Sequence, residues 1–299
     1  MRDTIVNCLI ERARIDKSIY LITSDMGYGV LDPFKDEFPD RYLNVGIAEQ
    51  NSIGVASGLA LSGKNVYVYS IIPFVIMRCF EQVRIDIAYM NTNVKLIGVG
   101  AGLSYGAAGA THHAIEDIAL MRSLPNMTVC CPGDPLEAKA LIEESFRYKG
   151  PMYFRLGNNG EPLVHHKSVE IQIGKATEIK SGHDLALITT SNMLAQAKEW
   201  VDKLEKMGKS VTLTSFHTIK PLDKEYIREL INRKIPIYTL EEHNIYGGLG
   251  TAVAEIIAEH GEKVSFKRIA LPDEYSHYVG NQNYLRGKFN ILEIPDYII

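Results

Sequence analysis

Glu49 lies in the run Val45-Gly46-Ile47-Ala48-Glu49-Gln50-Asn51, where a strand-like stretch (42–46) gives way to a helical pattern from Ala48 to Leu61, stopped by Gly63. A carboxylate at such a junction has two readings. It is a first-turn acid favoured by the helix dipole, or a reactive carboxyl at the carboxyl end of a strand, where open parallel sheets bind ligands. Two further stretches carry side chains able to do chemistry. The run YSIIPFVIMRCFEQVR (69–84) contains Phe74, with Ile71 three residues before it and Arg78 four residues after. An aromatic face fixes the orientation of a flat ligand ring and excludes water. Taken alone, Phe74 also reads as a core side chain and Arg78 as a surface charge. The run GATHHAIEDIALMR (109–122) sets His112 and His113 in a Gly-rich loop. A histidine titrating near neutrality suits proton transfer; a satisfied core histidine is the structural alternative. Glu241-Glu242-His243 invites a metal reading, but it follows a strand and precedes the Gly-rich start of a helix (247–250), which points to capping.

The elements that must position these residues alternate along the chain. Strand-like runs occur at 19–25, 42–46, 65–71, 94–100, 128–132 and 152–156, with helical patterns at the N-terminus (1–16), at 48–61, at 77–90 and at 137–146. Near-continuous apolar strands separated by helices predict a parallel sheet covered on both faces. Residues 157–172 (GNNGEPLVHHKS and its continuation) are turn-rich and polar, and read as a linker. Alternation then resumes: strands at 184–190, 211–216, 235–242 and 264–269, and helices at 192–207, 223–232 and 249–260. The expected organisation is α/β, with one unit over 1–160, a linker over 161–172 and a smaller unit over 173–299. There is no internal repeat and no low-complexity tract.

Composition narrows the classes. The chain has 299 residues, 46% hydrophobic and 23% charged, with a net charge of -4 and no long run of one sign. That argues against a nucleic-acid footprint or a membrane-surface patch. No apolar run approaches the ~18 residues of a membrane helix. Cys8, Cys79, Cys130 and Cys131 form no Cys-x-x-Cys pair, so neither a zinc site nor a disulfide framework is expected. Unpaired thiols suit a reducing, cytoplasmic setting. The N-terminal segment has no long apolar core and no small-residue cleavage site, so it does not read as a signal peptide.

The three stretches around Glu49, Phe74 and His112, in this order and spacing, resemble the pyrimidine-binding domain of transketolases and of 1-deoxyxylulose-5-phosphate synthase. Pro132-Gly133-Asp134 after a strand, and Glu241 to Gly250, fit the same pattern, and the resemblance covers essentially the whole chain. The nearest likeness is to transketolases split into two subunits, of which this resembles the C-terminal one. The resemblance implies a thiamine-diphosphate enzyme that moves a two-carbon ketol unit from a ketose to an aldehyde. Glu49 would be the acid that hydrogen-bonds the pyrimidine ring nitrogen, in a dry setting with Ile47, Ile53 and Val55 as neighbours. Phe74 would carry the pyrimidine, Ile71 would stand where a second aromatic often lies, and Arg78 would lie close to the cofactor. His112 would handle proton transfers and substrate hydroxyls, with His113, in place of the usual glutamine, in support beside the substrate. Arg2 and Arg155 would be available to an anionic substrate group.

The family's Gly-Asp-Gly motif with a downstream Asn, which holds magnesium, has no counterpart here. In Gly133-Asp134-Pro135 a proline stands where the motif needs its second glycine, and the stretch is wrongly placed. The resemblance therefore implies that magnesium and the diphosphate are held by a separate diphosphate-binding subunit, with α2β2 as the natural closed assembly. No metal ligands are assigned to this chain. Departures from the family bear on substrate. Gly106-Ala107-Ala108-Gly109 replaces Gly-Glu-Asp-Gly, so Ala108 stands for a hydroxyl-binding aspartate. Gly100 stands for a histidine, Cys131 for an arginine and Gly29 for a serine. Loss of these partners predicts a wider, less polar pocket and a non-standard sugar. The alternatives are the β subunit of a 2-oxoacid dehydrogenase E1, a deoxyxylulose-phosphate-synthase-like ligase, and a non-catalytic α/β partner subunit supported by Ala107 and Ala108.

Overall fold

The computed structural model describes residues 1–158, 160–166 and 170–299, so positions 159 and 167–169, at and within the expected linker, lie outside the described residues. Two sheets organise the chain. The first is built from β1 (Ile19–Thr23), β2 (Tyr42–Asn44), β3 (Asn65–Ile71), β4 (Val94–Val99), β5 (Thr128–Cys130) and β6 (Met152–Leu156). The second half contributes β7 (Thr177–Lys180), β8 (Leu185–Thr189), β9 (Val211–Ser215), β10 (Thr218–Lys220), β11 (Ile237–Asn244) and β12 (Phe266–Leu271). Strand order is β10-β5-β6-β4-β3-β1-β2 in the first sheet and β12-β11-β8-β9-β7 in the second. Strands β3, β4 and β6 are almost wholly buried, as their near-continuous apolar runs predict.

Both sheets are parallel except at one edge. β7 pairs antiparallel with β9, and β10 leaves the second half to pair antiparallel with β5. Neither short strand carries a usable sequence signal; TIK and TEIK are strands because a neighbouring edge offers them hydrogen bonds. The first sheet reverses direction of growth beside β1, since β2 lies on one side and β3 on the other. That switch opens a crevice at the carboxyl ends of the strands, and the loops after β2, β3 and β4 carry Glu49, Phe74 and His112.

The helix expected over 77–90 is irregular. A π turn over Pro73–Met77 and another over Val83–Tyr89 flank a short α turn, Phe80–Gln82. Arg78 N–H reaches back five residues to the Pro73 carbonyl. Such bulges insert a residue into a helix and often mark functional segments. The helix Pro135–Ser145 begins where Asp134 caps it, accepting from Leu136 N and Glu137 N. The other Asp134 oxygen accepts from Val164 N and His165 N. Asp134 is thus a helix cap that also pins the incoming linker.

The interface between the two halves contains a buried ion pair. Arg155 on β6 and Asp117 are 1% and 0% exposed, with Arg155 Nε 2.8 Å from Asp117 Oδ2. Arg155 also donates to Ser191 Oγ and to the carbonyls of Ala114 and Glu242. The expectation that Arg155 meets an anionic substrate is corrected here. Its guanidinium is enclosed and already donating to four acceptors on both halves of the chain. Cys131 is similarly structural: its N–H donates to the His217 carbonyl and its carbonyl accepts from Ser191 N. Burial pushes its thiol up. All four cysteines are free and buried. No helix among the described residues is long and apolar enough to cross a membrane.

The Glu241-Glu242-His243 cluster is a set of braces. Glu241 accepts from Leu249 N and Gly250 N, both at 2.7 Å, and so caps the helix Leu249–His260. His243 Nδ1 is 2.8 Å from the Asn244 carbonyl, and its Nε2 accepts from Ala119 N. Among the described residues no group of acids, histidines or cysteines is arranged to hold a metal ion.

Burial pushes the His243 imidazole down to about 4, with Arg155 adding to the fall and Asp117 opposing it. A histidine kept neutral by the fold takes up its proton only when the chain unfolds. Its contribution is intact above the ordinary value of 6.5 and is lost as pH falls toward 4. Wild type is therefore expected to lose about 3 kcal/mol more than His243→Gln between pH 7 and pH 4. Urea unfolding of both proteins at the two pH values checks this; parallel losses would refute it.

Candidate active site

Glu49 opens the helix Glu49–Leu61 and has no side-chain cap before it. The turn that delivers it uses Gly46 at φ +74, a left-handed conformation that a β-carbon would strain. The Glu49 side chain is 4% exposed. Its Oε2 accepts from Arg78 Nη1 at 2.8 Å. The Arg78 guanidinium in turn lies 4.6 Å from the centre of the Phe74 ring, a cation–π contact. Phe74 meets His112 edge-on at 5.2 Å, and Tyr105 also meets the His112 ring edge-on, at 6.0 Å. The chain Glu49–Arg78–Phe74–His112–Tyr105 is therefore continuous in space, although it draws on residues 49 to 112 of the sequence.

The side chains hold one another. Thr111 Oγ1 is 2.9 Å from His112 Nδ1, which leaves Nε2 as the ring nitrogen available to a substrate. Ile71 is half-buried at the carboxyl end of β3. Of the apolar neighbours expected for Glu49, Ile53 is fully buried but Ile47 is 79% exposed. Ile47 thus stays at the surface of this chain and is not buried with the carboxylate.

Tyr105 is a site residue that sequence patterning does not reveal. Its ring lies where a side chain at position 100 would be: a β-carbon on Gly100 would collide with Tyr105 Cδ2 and Cε2, and Gly100 itself sits at φ +95. The signal is a pairing of glycine and aromatic that only the folded loop displays. Burial raises the Tyr105 hydroxyl, and the nearby Arg2 opposes that rise. Arg2 also faces Tyr69, whose buried hydroxyl makes no well-formed hydrogen bond. Arg2 has no carboxylate partner among the described residues.

His113 does not face the crevice. It is 4% exposed, and its Nε2 lies 3.4 Å from the Gly106 carbonyl oxygen. Burial pushes its imidazole down. The expectation that it touches substrate is corrected: a ring so enclosed braces the loop from behind. Ala107 and Ala108 are exposed on that loop. Gly29 lies in open space, where a β-carbon would meet nothing within 4 Å.

Residues 1–159 match the pyrimidine-binding domain of transketolase, and residues 174–285 match the transketolase C-terminal domain. The chain belongs to the transketolase family. One of the subunits of an apulose-4-phosphate transketolase from Actinobacillus succinogenes is 39% identical over 87% of this chain and 83% of its own length. The 6-deoxy-6-sulfo-D-fructose transketolase subunit SqwH of a Clostridium species is 33% identical, over 97% and 90%. A solved split-gene transketolase, described as an inactive β4 tetramer, superposes with a TM-score of 0.89 at 33% identity, covering 97% of this chain and 93% of that one. In transketolase terms this chain is the C-terminal subunit of a split enzyme, the half that carries the pyrimidine-binding domain.

The site fits the aminopyrimidine end of thiamine diphosphate. Glu49 is a nearly buried carboxyl with Oε2 on Arg78 and Oε1 left for a ring nitrogen. Phe74 supplies a partly exposed flat face beside it. Among the described residues no metal-holding cluster of acids, histidines or cysteines lies beside it.

Proposed function

We propose that this chain contributes the pyrimidine half of a thiamine-diphosphate site completed by a diphosphate-binding partner subunit, which holds the magnesium, in a cytoplasmic α2β2 transketolase. The observation that carries the reading is the contact chain from Glu49 through Arg78 and Phe74 to His112, in a chain with no metal-holding cluster among its described residues. When bound, thiamine diphosphate supplies the carbanion that accepts the two-carbon ketol unit. Glu49 bonds the pyrimidine nitrogen and sets its tautomer. Phe74 would orient the ring, Ile71 would add an apolar contact, and Arg78 holds Glu49 and Phe74 in one geometry. His112 Nε2 takes and returns the hydroxyl protons of donor and acceptor. The exposure of Ile47 fits an apolar wall completed by the partner.

The substrate is proposed to be a ketose other than the usual pentose phosphate. The substrates after which two relatives are named, apulose 4-phosphate and 6-deoxy-6-sulfo-D-fructose, support this, as do Ala108 and the tyrosine-filled space at Gly100. Two results are expected. The isolated chain, given thiamine diphosphate and magnesium, shows no ketol transfer, and adding the diphosphate-binding subunit restores it. With the pair assembled, xylulose 5-phosphate is used at least about tenfold less efficiently than the better of the two unusual ketoses, because an unpaired buried hydroxyl costs roughly 1–3 kcal/mol. Turnover by the isolated chain would end the two-subunit reading, and efficient use of xylulose 5-phosphate would end the substrate reading.

A further inference from the structure

We propose that Glu242, from the second half of the chain, is a positioning residue for the His112 loop, so that the C-terminal domain takes part in catalysis. This rests on the reading of His112 as the group that moves substrate hydroxyl protons. Glu242 is 1% exposed near the end of β11. Its carboxylate enters the bend that starts the loop, where Oε1 accepts the Leu103 N–H. A β-carbon on Gly102 would collide with that carboxylate, and Gly102 sits at φ +61. Glycine at this point lets the loop close onto the acid.

The acid is itself held firmly. Arg286 Nε pairs with Oε2. Gln282 Nε2 donates to Oε1 at 2.8 Å, and Asn192 Nδ2 is 3.4 Å from the same oxygen. Two of these residues also grip the loop directly. Asn192 Nδ2 lies 3.2 Å from the Ala101 carbonyl oxygen, and Gln282 Nε2 lies 3.3 Å from Ser104 Oγ. Further along, a β-carbon on Gly106 would strike the Gly280 carbonyl, so the loop and the second half are in backbone contact there.

Two routes lead from this anchor to His112. Leu103 is two residues from Tyr105, whose ring meets the His112 ring at 6.0 Å. Gly106, through its carbonyl, meets His113, the next residue after His112, and Glu242 and His112 are the charged or titratable groups acting on the His113 ring. A buried ion pair is weak evidence for stability. A site held by supporting hydrogen bonds, by contrast, keeps its reactive group in the productive geometry.

The chemistry supplies a selective test. Breaking the C2–C3 bond of a ketose leaves its electron pair on the two-carbon fragment. C3 then becomes an aldehyde only as its hydroxyl proton leaves, here to His112 Nε2. Hydroxypyruvate, the smallest donor of the same unit, loses carbon dioxide instead, and no hydroxyl proton moves. In the assembled two-subunit enzyme, Glu242→Gln is expected to lower kcat for the better of the two unusual ketoses by about 10- to 100-fold, the scale of a misplacement near 1 Å. Donor fragmentation of hydroxypyruvate and the Kd for thiamine diphosphate stay near wild type. In a His112→Ala background Glu242→Gln has no further effect on ketose kcat, since coupled residues are not additive. Amide exchange between residues 103 and 112 of the full chain is faster in the variant.

An unchanged ketose rate in a folded Glu242→Gln enzyme, or equal losses with both donors, overturns the proposal. If that variant does not assemble, Gly102→Ala makes the same test from the loop side and carries the same expectations. If His112→Ala leaves ketose turnover intact, the reading of His112 fails and this proposal with it. If His112 proves essential while Glu242 and Gly102 variants are silent, the present proposal alone fails.

Discussion

Glu49→Gln is expected to lower the rate of C2-proton exchange on bound thiamine diphosphate by about 10²- to 10⁴-fold, the range for loss of one acid–base group. Glutamine fills the same space and keeps an oxygen for the Arg78 guanidinium that now sits 2.8 Å from Oε2. What it lacks is a carboxyl able to share a proton with the pyrimidine nitrogen. The helix Glu49–Leu61 is anchored by buried Ser52, Ile53 and Ala56 and not by the acid, so the fold should be unaffected. Exchange measured on the assembled enzyme, with circular dichroism of the variant alongside, decides the matter. A normal exchange rate would remove Glu49 from the mechanism.

The second large effect concerns stability. Arg155→Met is expected to cost about 3–5 kcal/mol, because removing one partner strands a buried charge. Asp117 would be left 0% exposed with Tyr153 Oη at 2.6 Å as its remaining strong donor among the described residues, where its Oδ1 already has no partner. The Ala114 and Glu242 carbonyls, on opposite halves of the chain, would lose a shared donor. Pairing the change with Asp117→Leu should recover part of the loss, since two apolar residues bury at lower cost than one unpaired ion. Urea unfolding at pH 7 gives both numbers. A loss under about 1 kcal/mol for the single variant would place the pair among the weak, water-screened ones.

Glu49 and Arg155 also differ in the kind of information each carries. Glu49 can be noticed in the sequence because its setting is local, a strand end, a glycine turn and a helix start within eight residues, and the likeness of the three ordered stretches then chooses the reactive carboxyl over the helix-dipole acid. Arg155 cannot. Its neighbours on β6, MYFRL, announce a buried strand, and an arginine there reads equally as a charge turned toward a ligand. Asp117, Ser191 and Glu242 turn that charge inward, and they lie 36 to 87 residues away. His113 defeats sequence reading for the same reason. Adjacent to His112 along the chain, it turns away from the crevice once the loop closes on Gly106.

The amino-acid order alone carries the α/β alternation and the succession of strand ends that build the crevice, while the set Glu49, Phe74, Arg78 and His112 is chosen by the resemblance of three ordered stretches to a family. Periodicity and turn chemistry act over a few residues, so they can be read wherever the residues that matter are near one another in the chain. Folding in three dimensions adds the rest: β10 joins the first sheet, the 73–89 segment winds as π turns, Tyr105 fills the space beside Gly100, and Glu242 reaches 139 residues back to Leu103. Such contacts depend on where distant backbone is left with an unpaired donor or a missing side chain, and no local pattern records that.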